Sequence, residues 1–71
     1  MNDAILKNDL KVLRAMNNLS QEALAGKVGV TRVTINKIEN GKWVPSTVLA
    51  LKIARIFGIP LEEVFWLAES Q

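Results

Sequence analysis

The sequence predicts an all-α fold of five short helices. Three observations support it. Ser20, Thr31 and Ser46, residues that cap helix starts, each stand just ahead of a helix-like stretch. Gly29, Gly41 and Gly58 each follow the end of one. Apolar residues recur at helical spacing, most clearly Ala50, Ile53, Ala54 and Phe57 at i, i+3, i+4 and i+7. The chain has 71 residues and is 49% hydrophobic, enough for a packed core. That length predicts one domain spanning 1–71, near the lower limit for an independent core.

The first helix is expected over Asn8 to Met16, with Leu10, Leu13 and Met16 on one face and Asn8 or Asp9 capping it. Asn17 and Asn18 break it, and Leu19 follows as a buried linker residue. Ser20 caps the second helix, with Gln21 in its first turn. Thr31 caps the third, which runs from Arg32 to about Asn40, with Gly41 in the left-handed position beyond. These two helices form a unit over 20–41. Two helices crossing steeply need a small side chain where they touch, which Ala25 supplies. The tight turn between them needs a positive φ, which Gly29 permits. Leu24, Val28, Val30, Ile35 and Ile38 give the pair a common apolar underside.

Trp43, Val44 and Pro45 form the next loop, where Trp43 is expected to pack over the loop and cover the core. The fourth helix spans Thr47 to Phe57. Leu49 and Ile56 flank its core stripe on one side and Leu51 on the other, leaving only Val48, Lys52 and Arg55 for solvent. That arc is wider than a surface helix needs, so Leu49 and Ile56 are expected at a subunit interface. Pro60 suits the first position of a fifth helix, which buries Leu61, Val64 and Phe65 and carries Glu62 and Glu63 in its first turn. The tails are apolar: Ile5 and Leu6 at one end, Phe65 to Ala68 at the other. The second is rich in β-branched and aromatic residues and suits a strand, with Ile5 and Leu6 as its partner. A small terminal β-sheet follows. It would be completed or covered by a second copy of the chain through Ile5, Leu6, Trp66 and Leu67. The competing arrangement folds Trp66 back onto its own fifth helix.

The chain contains no cysteine and no histidine. Disulfides, His- or Cys-based metal sites and the usual acid–base and thiol chemistry are therefore excluded. No enzyme, cofactor or small-molecule ligand is expected. No segment has the length of a membrane span, and a cytoplasmic protein with no membrane partner is expected. Net charge is only +2, but its distribution is uneven. Lys27, Arg32, Lys37 and Lys42 face Glu39 alone between residues 27 and 42, whereas Glu62, Glu63 and Glu69 have no base beyond residue 60. One end should be basic and the other acidic.

The outward face of the third helix carries Arg32, Val33, Thr34, Asn36, Lys37 and Asn40, with no acid among them. Such a helix, held clear of its domain, can enter a DNA major groove. Arg32 has the geometry to contact guanine and Asn36 adenine, each with two hydrogen bonds. Thr34 and Lys37 can reach a base or a phosphate. Val33 suits a thymine methyl, unless it is partly buried against its own domain. Asn40 and Lys42 suit backbone contacts, which position without reading sequence.

The segments SQEALAGKVGVTR and INKIENGKW resemble the helix-turn-helix of the Cro/CI-type (XRE) repressor family. LKVLR and LALKIARIFGIPLEEVF extend that resemblance from about Leu10 to Phe65. It implies a lambda-repressor-like domain in which the start of the second helix abuts a DNA phosphate. Ser20 and Gln21 would serve there, with Thr31 at the start of the third helix. It also implies that Arg14, otherwise readable as a solvated helix arginine, pairs with Glu39. The LEEVFWLAE ending resembles that of short family members with a terminal sheet. The function implied is a sequence-specific regulator, a repressor binding double-stranded DNA as a homodimer on a near-palindromic site. The alternatives are an antitoxin or restriction-system controller with the same domain, or an interaction module that no longer binds DNA.

Overall fold

A computed structural model describes residues 4–69, with only the backbone of Ala4 and Glu69. The elements are β1 (Ala4–Asn8), α1 (Leu10–Met16), α2 (Gln21–Val28), α3 (Arg32–Glu39), α4 (Thr47–Phe57), α5 (Leu61–Val64) and β2 (Phe65–Glu69). Five helices and a two-stranded terminal sheet are therefore both present.

The helix starts follow the local chemistry. The hydroxyls of Ser20, Thr31 and Ser46 accept the backbone N–H of Ala23, Thr34 and Leu49, satisfying donors that the first helical turn leaves open. Gly29 closes α2 at φ +78°, a left-handed conformation costly for other residues, and Val30 N–H then bonds back to the Ala25 carbonyl at 3.0 Å. The chain thereby turns within a few residues and α3 packs against α2, with Ala25 buried.

The apolar underside of the α2–α3 pair joins α1, α4 and α5 in one cluster. Leu10, Leu24, Ile35, Ile38, Ile53 and Val64 are its fully buried members, each worth about 1.5–3 kcal/mol of transfer free energy. Val30, Leu13 and Phe57 are half-buried against it.

Several sequence expectations need correction. The first helix starts two residues later than expected, because Asn8 is still paired with Phe65 in the sheet. Asn8 nevertheless caps the helix: its Oδ1 accepts Leu10 N–H at 3.0 Å, while Asp9 makes no side-chain cap. Pro60 precedes α5 rather than opening it. Phe65 is buried as expected, but as the first residue of β2, since α5 stops after one turn. Met16 is 73% exposed, beyond the reach of the core at the end of α1. Leu49 is 7% exposed and belongs to the protomer's own core, so it has almost no surface to give a subunit interface. Trp43 is 49% exposed and does not cover the core.

The sheet is antiparallel, pairing Ala4 with Glu69, Ile5 with Ala68, Leu6 with Leu67, Lys7 with Trp66 and Asn8 with Phe65. Strand alternation turns Leu6 and Phe65 toward the core, and Asp9 N–H bonds the Val64 carbonyl at 3.1 Å where the sheet meets the helices. Trp66 lies in the ladder rather than folded back on α5.

Candidate nucleic-acid interface

α3 is eight residues long, with Ile35 and Ile38 buried one turn apart on its inner side. Helical geometry then places Arg32, Val33 and Lys37 outward, and all three are exposed. Val33, at 51% exposure, is not packed into its own domain. Thr34 and Asn36 are half-buried at the edges of this face. Thr31 is exposed and its hydroxyl meets that of Thr34 at 3.1 Å. Asn40 is exposed and donates to the Asn36 carbonyl at 2.9 Å, closing the helix end. Lys42 is exposed, with its backbone N–H on the Lys37 carbonyl at 2.9 Å. Ser20 is exposed at the start of α2, as is Lys27 near its end.

The single acid of α3 points the other way. Arg14 donates through Nε and Nη2 to the two carboxylate oxygens of Glu39, in a forked pair, and through Nη1 to the Leu19 carbonyl at 2.9 Å. The two side chains are 15% and 6% exposed. The hydrogen bond to Glu39 raises the Arg14 pKa above its ordinary value, against the lowering effect of burial and with the help of the carboxylate charge. The α3 surface therefore keeps Arg32 and Lys37 while its one negative charge is neutralised inside.

Sequence reading missed how far this pair extends. Gln21 Nε2 donates to Glu39 Oε1 at 3.1 Å, and Gln21 Oε1 accepts from Asn36 Nδ2 at 3.5 Å. Gln21, expected in the first turn of the second helix and at a phosphate, thus links the ion pair to the outward face of α3, leaving a second amide N–H without a partner among the described residues. Asn8 was also missed in a second role: its Nδ2 donates to the Ile38 carbonyl at 3.0 Å and ties β1 to α3. Trp43 stands beside the interface, lining a shallow cleft with Val33, Thr34 and Lys37. A large aromatic directly after a helix-ending glycine and a lysine was the available signal for it.

Of the residues expected at a subunit interface, Ile5, Trp66 and Leu67 are exposed, Ile56 is 37% exposed and Leu6 half-buried. Leu6, Phe65, Trp66 and Leu67 line an apolar groove with Val44, Pro45 and Ala50. Among the described residues, no group of three or more acidic side chains is placed to hold a metal, and no helix is long and apolar enough to cross a membrane.

The comparisons agree with this geometry. The family model described as helix-turn-helix matches residues 10–64. An HTH-type transcriptional regulator of Methanocaldococcus jannaschii is 55% identical over 60 residues, covering 84% of this chain and 91% of the relative. The HTH-type transcriptional regulator YgzD of Bacillus subtilis is 53% identical over 65 residues, 92% of this chain and 98% of its own. The crystal structure of the restriction-modification controller protein C.AhdI from Aeromonas hydrophila superposes with a TM-score of 0.71 at 37% identity, covering 76% of this chain and 82% of that one. With its capped α2–α3 pair, inward-turned acid and matching relatives, the chain belongs to the Cro/CI-type (XRE) helix-turn-helix family of DNA-binding transcriptional regulators.

Proposed function

We propose that the protein is a repressor that binds a near-palindromic operator as a homodimer and occludes a promoter. The reading rests above all on Glu39. By pairing with Arg14 it leaves the face of α3 with basic and uncharged groups and no acid. In this reading Arg32, Val33, Asn36 and Lys37, with Thr34 at the edge, meet base edges in the major groove. Ser20, Gln21, Thr31, Asn40 and Lys42 meet phosphates, Gln21 through its second amide N–H. The dimer forms through Ile5, Leu6, Trp66 and Leu67, whose two-stranded sheet is marginal alone. It sets the two α3 helices roughly 34 Å apart, one DNA turn.

Selecting bound fragments from random duplex DNA tests this. The expected product is a two-fold symmetric consensus with half-sites about one turn apart. Recovery of no consensus would overturn sequence-specific binding. An asymmetric single site would overturn the homodimer reading.

A restriction-system controller is the second reading, favoured by the likeness to C.AhdI. It uses the same interface and differs in the genes regulated.

A further inference from the structure

Two charges and two amides run in line from the inside of the protein to the face of α3. Arg14 offers only donors, and Glu39, as a carboxylate, only accepts. Glu39 Oε1 already receives Arg14 Nη2 at 3.1 Å, and the group of Gln21 that meets it at 3.1 Å must be a donor. Gln21 therefore presents Nε2 inward to Glu39, and its carbonyl oxygen is forced outward toward Asn36. That oxygen accepts only, so the Asn36 group facing it at 3.5 Å must be Nδ2. Each polarity is dictated by the one before it. The chain starts from a guanidinium that stays charged near neutral pH and has nothing to accept with.

The end of the chain has a consequence for recognition. One N–H of Asn36 is turned to Gln21. Its Oδ1 and its second N–H have no partner among the described residues. One acceptor and one donor side by side match adenine, which shows N6–H as donor and N7 as acceptor in the major groove. They mismatch guanine, whose O6 and N7 are both acceptors. An asparagine free to rotate its amide could instead turn Oδ1 inward and present the two N–H donors that suit guanine.

We infer that Gln21 is a specificity-determining positioning residue, which holds the Asn36 amide in the orientation that selects adenine over guanine. Gln21 does this without touching the base, and the Arg14–Glu39 pair sets its direction. The inference rests on the reading of Asn36 as a base contact.

The experiment uses the full chain and the duplex recovered by selection, together with the same duplex carrying guanine in place of adenine at the position that Asn36→Ala renders indifferent. Gln21→Met keeps the length of the side chain and removes both hydrogen bonds. The adenine-over-guanine preference should fall by about tenfold or more, toward none. Gln21→Lys offers donors only. It still meets Glu39, but it turns the Asn36 oxygen inward and should reverse the preference toward guanine at that position alone. A simple loss of phosphate contact would instead lower affinity for both duplexes alike and leave their ratio unchanged. Wild-type preference in both Gln21 variants overturns the inference and leaves Asn36 as a base contact. A wild-type preference for a base other than adenine at that position also overturns it. Asn36→Ala with no effect on base preference at any position overturns the underlying reading instead.

Discussion

Glu39 joins stability to the interface. Its carboxylate accepts from Arg14 and Gln21, and its backbone neighbour Ile38 accepts from Asn8. Arg14→Ala leaves that carboxylate largely buried and uncompensated, which should cost about 3–5 kcal/mol of unfolding free energy. The double replacement Arg14→Met with Glu39→Leu removes both charges, and its loss should fall well short of the sum of the single losses. Urea unfolding of the four proteins checks this, and additive losses within about 1 kcal/mol would class the pair with exposed ones. The cation's pKa is raised on folding, so its contribution is complete below the ordinary arginine value. It is lost only as pH rises through the higher folded value, far above neutral, so the Arg14 side of the pair gives no pH dependence near neutrality.

At the scale of elements, α2 and the turn that follows it provide a matched pair of glycines. Both Gly26 and Gly29 have open space where a Cβ would stand, so contacts do not distinguish them. Gly29 sits at φ +78°, and Gly29→Ala should cost about 1–2 kcal/mol. Gly26 lies inside α2, and Gly26→Ala should stabilise by about 0.5–1 kcal/mol. Equilibrium unfolding of the two variants should therefore move in opposite directions, and like signs would contradict the backbone argument. These features were legible in the sequence because they are local. The caps at Ser20, Thr31 and Ser46 act within three residues of themselves. Contacts across the fold were not legible: Asn8 meets Ile38 across 30 positions and Gln21 meets Glu39 across 18. Leu49 shows the same limit. A helical wheel gives its angle on α4 but not which neighbours come to cover it. Phe65 carries the apolar character of a helix face, yet pairing with Asn8 draws it into a strand.

Over the whole molecule, the charge around α3 and the charge on α5 differ in sign. Arg32, Lys37 and Lys42 are exposed around α3, and Glu62 and Glu63 are exposed on α5. The side chain of Glu69 lies outside the described residues. Lys42→Ala should weaken binding to all DNA sequences alike and make the slope of log affinity against log salt shallower by about one. A changed site preference at the old slope would move Lys42 to the base contacts. Trp66→Glu places a charge in the terminal sheet and should shift sedimentation from dimer to monomer while weakening operator binding. A variant that remains dimeric would move the interface elsewhere, with Ile56 the next exposed position. The register of that sheet has a topological consequence too. Ala4 and Glu69 are ladder partners, and antiparallel partners have Cα atoms about 4.5–5.5 Å apart. The backbone between Ala4 and Glu69 is thus almost a closed ring. In the natural order its two strands meet only after the whole helical unit has been gathered between them, a slow kind of closure. Joined through a short splice, with new ends opened at exposed Lys42 and Trp43, the same strands would become a local hairpin. Such a permuted chain should keep the same contacts and refold faster.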